Sequence, residues 1–272
     1  MNYRSLLHQA IIASVLAGEE ILKVYETDFS VETKPDKTPV TLADKNANDK
    51  IIEYLKPFDI QILSEEGNHE DYHIRKNWNS LWIVDPLDGT KEFVKRNGEF
   101  TVNIALVENN SPSLGVIYCP VSKDMYFSYK NNGAYKIDGE AFGLLINHIK
   151  ETSFNSILEV AKKLPIKNLR KNYVVVASRS HMSSETYTHI ENLKLHHKVV
   201  TIINAGSSIK MCLVAEGVAD EYPRFGPTME WDTAAGQSIL QESNCTLIDY
   251  LTHEPMIYNR ENLLNNWFIA KR

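Results

Sequence analysis

Trp82-Ile-Val-Asp85-Pro86-Leu87-Asp88-Gly89-Thr90 is the stretch on which the reading of this chain turns. Residues 81–84 are bulky and apolar, the pattern of a buried strand, and they run straight into a turn. Asp85 and Asp88 stand three residues apart around a Pro and beside a Gly, residues that bend the backbone tightly, so both carboxylates can point into one small volume. Like charges held that close need protons or cations, and a ligand set made only of oxygens favours a hard cation such as Mg²⁺. Gly89-Thr90 then opens a short helical turn, 90–94, whose unsatisfied N–H groups suit a phosphate. Asp88 alone reads equally well as an Asp-rich turn capped by its own side chains. The six residues together, placed after a strand, do not.

Upstream, Leu7, Ile11, Val15, Gly18, Leu22 and Tyr25 recur at three- and four-residue steps, the stripe of an amphipathic helix on a core. Thr41 with Asp44 forms a capping-box pattern ahead of Ala43, Ala47, Ile51 and Leu55, a helix stopped by Pro57. Residues 60–63 read as a strand leading into Glu65-Glu66, so both acidic clusters are expected just past strand ends. Downstream, β-rich runs at 100–107, 114–119, 125–129 and 134–137 are joined by connections too short for helices, which predicts an antiparallel meander. Strand and helix patterns then alternate to residue 248, an α/β signature with helices at 184–193, 207–216 and 231–241. The expected division is an antiparallel α+β half, 1–140, and an α/β half, 141–272.

Composition narrows the classes. Of 272 residues 43% are hydrophobic and 24% charged, ordinary globular usage that excludes a long disordered polymer. With 29 Lys+Arg against 35 Asp+Glu the net charge of -6 argues against a chain that coats a nucleic acid polymer. Cys119, Cys212 and Cys245 are odd in number and far apart, so no disulfide framework or zinc knuckle is expected and a reducing compartment is the simpler reading. No uninterrupted apolar run approaches the ~20 residues that span a bilayer, and no transmembrane segment is expected.

Glu65-Glu66, the Asp85–Thr90 motif and Trp231-Asp232-Thr-Ala-Ala-Gly236, in that order, resemble the lithium-sensitive, Mg²⁺-dependent phosphatase superfamily that includes inositol monophosphatase, over nearly the whole chain. The resemblance implies a layered α-β-α-β-α fold of the α/β class, with the active site between the halves. It also implies Glu65, Asp85 and the Leu87 carbonyl as ligands of one metal and Asp85, Asp88 and Asp232 as ligands of a second, with two or three Mg²⁺ per site. Two such ions ~3.5–4 Å apart clamp a phosphoryl group and lower the pKa of a bound water. Asp44 and Thr90 match the pair that orients the attacking water, and Glu66 stands next to a ligand. Since each Mg²⁺ ligand comes within ~2.1 Å of the ion, Asp232 is expected less than ~10 Å from Asp88.

Lys34-Pro-Asp36-Lys-Thr38-Pro-Val-Thr41, Lys91-Glu92, Asn97-Gly-Glu-Phe-Thr101, Ser178-Arg-Ser-His181, Gly206-Ser-Ser-Ile-Lys210 and Tyr222-Pro-Arg224-Phe-Gly-Pro-Thr-Met-Glu-Trp-Asp232 resemble the bacterial 3'(2'),5'-bisphosphate nucleotidase branch. Its members remove the 3'-phosphate of adenosine 3',5'-bisphosphate (PAP), in sulfur assimilation and PAP recycling; the related 3'-phosphoadenosine 5'-phosphosulfate (PAPS) stays open as a substrate. A nucleotide with two phosphates needs one dianion at the metals and donors for the other, since an unpaired buried phosphate is costly. Ser207, Lys210 and Arg224 match the donors for the non-reacting phosphate, and Ser178 and His181 the border of the adenine or ribose. Glu65, Leu87, Asp88, Gly89, Thr90 and Asp232 would line the reacting phosphate. The resemblance implies a monomer or homodimer in the cytoplasm or on the inner face of the cell membrane.

Two other readings compete. An inositol-directed or broad sugar-phosphate monophosphatase is disfavoured by Lys91-Glu92 and the Ser178–His181 run. A binding protein that kept the fold and lost turnover would be expected to lose a ligand, and Glu65, Asp85, Asp88, Thr90 and Asp232 are all present.

Overall fold

The computed structural model describes residues 1–28, 30–33, 39–166, 171–178 and 182–272. Strand β4 (Ser80–Asp88) is buried on both faces: Trp82, Val84 and Leu87 enter one hydrophobic core, Leu81 and Ile83 another. A strand with two buried faces has no polar side, so its sequence is a continuous apolar run rather than an alternating one.

The first core is roofed by α1 (Tyr3–Tyr25) and α2 (Leu42–Leu55), which pack on each other and on a seven-stranded sheet. Its strand order is β3 (Gln61–Ser64), β4, β5 (Thr101–Glu108), β6 (Ser111–Tyr118), β7 (Met125–Tyr129), β8 (Gly133–Ile137) and β9 (Lys162–Lys163). The meander is antiparallel as expected, while the added pair β3 and β4 is parallel. On the opposite face lie α8 (Ile209–Glu216) and α9 (Glu230–Glu242), filling the second core. Gly115 allows that contact, for a Cβ there would meet the Ala235 carbonyl oxygen at 2.4 Å.

Beyond these helices stands a five-stranded sheet, ordered β11 (Val200–Ala205), β10 (Tyr173–Ser178), β12 (Glu221–Arg224), β14 (Phe268–Lys271) and β13 (Thr246–Asp249). Its first three strands are parallel and its last two antiparallel, and α7 (Ser184–Leu193) packs against β12. Helix layers thus alternate with two sheets in the expected α/β layered order. Short elements complete the chain: the pair β1 (Glu32–Thr33) and β2 (Pro39–Val40), and helices α3 (Tyr72–Arg75), α4 (Thr90–Val94), α5 (Gly139–Ile146) and α6 (Phe154–Val160).

Two expectations need correction. Asp85 and Asp88 are not past a strand end: β4 continues through both, with a register shift against β5 between them, a bulge that re-aims the side chains. Pro57 does not end the helical path at once, because a 3₁₀ turn, Lys56–Phe58, takes over from α2. Helix α1 is long and apolar enough by length and composition to cross a membrane although no single run is uninterrupted. In this fold its expected stripe packs inward, with Leu7, Ile11 and Val15 fully buried and Gly18 so close to Tyr118 that a Cβ would lie 2.5 Å from the ring.

Candidate active site

The β4 bulge, the loop before α8, the loop after β12 and the start of α9 converge on one cavity of about 800 Å³. Asp85, Asp88 and Asp232 meet in its lining, each offering a carboxylate oxygen within 4.8 Å of the others. That is well inside the ~10 Å expected for ligands that share a cation. Asp85 is fixed by the Leu87 N–H, which donates to its Oδ1 at 3.1 Å, whereas its Oδ2 is buried without a hydrogen-bond partner among the described residues. Asp232 sits at the third position of α9 and accepts from the Met229 N–H at 2.7 Å, the acidic half of a capping box. Asp88 accepts from the Ser208 N–H at 2.6 Å and the Asn103 side-chain amide at 3.5 Å.

Burial is the largest reason that these carboxyl groups hold protons more tightly than usual. Asp85 is pushed well above the carboxylate range by burial and then by Glu65, Asp88 and Asp232; Asp232 is raised to about 8 by burial, Asp88 and Glu65. Asp88 is raised by burial, with Lys210 and the Ser208 N–H opposing. An acceptor-only cluster with an orphaned buried oxygen and mutual repulsion is the arrangement that a hard cation satisfies, so the residues fit the metal that the sequence pattern implied. Glu65 lines the cavity beside them, and its main-chain N–H is held by Val84 at 3.1 Å.

Asp44 and Thr90 are brought together from 46 residues apart, the Thr90 hydroxyl donating to Asp44 Oδ1 at 3.3 Å. The other oxygen, Oδ2, is saturated by the Thr41 N–H and hydroxyl, each at 2.7 Å, so the capping box also aims the carboxylate. Burial lifts the Asp44 pKa, Thr41 opposes, and the Glu66 charge adds to the rise. Gly89, which turns the chain between Asp88 and Thr90, has φ +93°, and a Cβ on it would lie 2.1 Å from Ser207 Oγ. Only glycine meets both demands.

Lys210 and Arg224 line the cavity, Lys210 buried and Arg224 half-buried. Lys210 is buried, not an exposed helix lysine, with its ammonium donating to the Ser207 carbonyl at 2.5 Å and standing 5.2 Å above the Tyr222 ring. Burial lowers its pKa to about 8 against the pull of Asp88. Arg224 donates to the Pro227 carbonyl at 3.0 Å, while its Nε is buried and has no partner among the described residues. Ser207 differs from expectation in one respect: its hydroxyl is shared between the carbonyls of Asp88 (2.9 Å) and Glu99 (2.7 Å), so it ties the two halves of the wall together. Leu87, Gly89, Thr90 and Ser178 line the cavity. His181, and residues 34–38 of the Lys34–Thr41 run, lie outside the described residues.

Sequence reasoning missed Ser208 and Asn103, which orient Asp88, and Thr101, whose hydroxyl meets that of Ser208 at 2.8 Å. Thr101 and Ser208 belong to the 97–101 and 206–210 motifs and Asn103 to β5, and their burial is invisible locally. It also missed His69, Phe225 and Trp231 as cavity walls.

The inositol monophosphatase family model matches residues 2–271. A curated relative, the 3'(2'),5'-bisphosphate nucleotidase CysQ of Salmonella typhimurium, is 41% identical over 267 residues, covering 97% of this chain and 98% of the relative. The crystal structure of CysQ from Bacteroides thetaiotaomicron superposes with a TM-score of 0.90 at 47% identity, covering 99% of this chain and 98% of that one. The extragenic suppressor protein suhB of Bartonella henselae shares the fold at 21% identity, with a TM-score of 0.75 and coverage of 98% and 94%. The chain therefore belongs to the inositol monophosphatase family, a metal-dependent one, and carries that family's fold around an acidic cluster in a cavity that it shares with two cationic side chains.

Proposed function

We propose that this chain is a Mg²⁺-dependent 3'(2'),5'-bisphosphate nucleotidase that hydrolyses the 3'-phosphate of PAP to give AMP and phosphate. The observation that carries the reading is the shared cavity: a carboxylate cluster suited to cations, and buried Lys210 with Arg224 as anion donors in the same lining. A substrate with one phosphoryl group would need only the first. The curated nucleotidase relatives at about 41% identity support the same substrate.

Glu65, Asp85, Asp88, Asp232 and the Leu87 carbonyl would hold two or three Mg²⁺. Once bound, such ions supply Lewis-acid stabilisation of the phosphoryl oxygens and acidify a water. Thr90, donating its proton to Asp44 Oδ1, presents its oxygen lone pairs to that water and fixes its direction of approach. Asp44, with its pKa raised by burial, is a better proton acceptor than an exposed carboxylate, which suits a general base acting through Thr90. Lys210 has three N–H donors and uses one on Ser207, and the unpartnered Arg224 Nε gives that side chain a further donor. Both favour the second phosphate. Cys119, Cys212 and Cys245 are all buried thiols, in keeping with a proposed cytoplasmic location.

The test is phosphate release from PAP and from inositol 1-phosphate side by side, with and without Mg²⁺. Preference for PAP only with Mg²⁺ is expected. Preference for inositol 1-phosphate would replace the reading by the sugar-phosphatase one, and release in excess chelator would overturn the role of the carboxylates.

A further inference from the structure

Phe225 follows Arg224 directly and borders two spaces, the active-site cavity and a smaller groove of about 330 Å³ behind it. Its ring is braced from several sides. Tyr250 lies 4.9 Å away, Trp267 5.5 Å, and His189 meets it edge-on at 5.4 Å and 87°. His189 is itself held by the buried carboxylate of Glu221, whose other oxygen accepts from the Tyr173 hydroxyl at 2.8 Å. Tyr250 and Trp267 line only the rear groove and are 46% and 40% exposed.

The other aromatic walls of the cavity are committed elsewhere. The Tyr222 ring carries the Lys210 ammonium on its face and meets Phe268 edge-on at 5.6 Å. Trp231 packs on His69 at 5.4 Å and immediately precedes Asp232, one of the clustered carboxylates. Phe225 is the apolar plane next in chain to the guanidinium.

Resting on the bisphosphate-nucleotide reading above, we propose that Phe225 is the specificity wall against which the purine base packs, and that Tyr250 and Trp267, outside the cavity, are positioning residues that hold its ring. A flat apolar ring offers a base dispersion and stacking whatever its hydrogen-bonding edge, and the contact is strongest when the ring is already immobilised. The groove behind Phe225 would let the ring swing away from the base if the two outer aromatics were removed.

The test uses the full chain with Mg²⁺ and compares binding of AMP with that of ribose 5-phosphate by calorimetry, alongside kcat and KM on PAP. The unaltered protein is expected to bind AMP about tenfold or more tightly than ribose 5-phosphate. Phe225→Leu, which keeps apolar bulk without the ring, should weaken AMP about tenfold and move ribose 5-phosphate by less than about twofold. Tyr250→Ala and Trp267→Ala should each raise KM for PAP and weaken AMP about threefold to fivefold at unchanged kcat, with Tyr250→Phe restoring both. Equal binding of the two ligands by the unaltered protein, or equal losses on both in Phe225→Leu, would overturn the wall. Loss of kcat together with binding in the outer variants would overturn their positioning role. Failure of the unaltered chain to hydrolyse PAP would remove the proposed activity, while the contrast between AMP and ribose 5-phosphate would still decide the wall.

Discussion

The main-chain N–H of Ser208 donates to Asp88 Oδ2 at 2.6 Å across 120 residues of sequence, which joins the β4 bulge to the loop before α8. The Ser207 hydroxyl reinforces the joint on the Asp88 carbonyl. Because Asp88 is oriented from one element and Asp232 from another, the geometry of the acidic cluster depends on that joint.

Asp88→Asn should lower kcat on every phosphate ester by orders of magnitude, since the cluster would lose charge where charge develops in the transition state. Circular dichroism should remain unchanged. Retention of more than about a tenth of the activity would exclude Asp88 from the cation site.

Without divalent cations, stability should fall as pH rises from about 4 to 8. Asp232 has a folded pKa of about 8 against an unfolded value near 3.8, so in this window the folded state binds more protons, and its advantage shrinks as they leave. Asp85 and Asp88 are shifted in the same direction. Above pH 8 Lys210 acts oppositely, because its folded pKa is lowered to about 8. Thermal melts in chelator at pH 6 and 8 should show the drop, and Mg²⁺ should reverse it at pH 8. Melts that rise with pH in chelator would contradict the buried-cluster reading.

Turnover should require Mg²⁺ and be blocked by Ca²⁺, whose longer bonds and larger coordination number mismatch a site suited to octahedral geometry. Lithium should inhibit as well. Assays in each chloride salt at fixed ionic strength decide it, and full activity with Ca²⁺ alone would refute the expectation.

Arg224→Ala should weaken PAP about tenfold to a hundredfold, the loss of a charge-assisted contact worth ~1.5–3 kcal/mol. Adenosine 3'-monophosphate, lacking the second phosphate, should be affected little. Equal losses would mean that Arg224 supports the cavity rather than reads the substrate.

Gly115→Ala should destabilise the fold by about 1–3 kcal/mol, because the added Cβ drives into the Ala235 carbonyl at 2.4 Å and pushes α9 off the sheet. Urea unfolding monitors it directly. A loss below about 0.5 kcal/mol would show that α9 can retreat without cost.

What this sequence determined by itself is local: the strand into Asp85–Thr90, the four-strand meander, helix α2 with its capping box, and the helices α7 and α9. Each of these is written within a few neighbouring residues as a period, a turn residue or a capping pattern, and the burial of both β4 faces follows from its unbroken apolar run. Strand β14 and helices α5 and α6 were not legible, since their short segments carry no period that stands out from the loops around them. Tertiary structure alone decided which residues meet. It buried Lys210 where helical periodicity allows exposure, committed the Ser207 hydroxyl to two carbonyls, and set Phe225 between a cavity and a groove. Those outcomes depend on partners about a hundred positions away in several cases, such as Ser207 with Glu99 and Ser208 with Asp88. Contacts at that separation leave no local pattern to read, because they are selected by the packing of whole layers rather than by the propensity of any one segment.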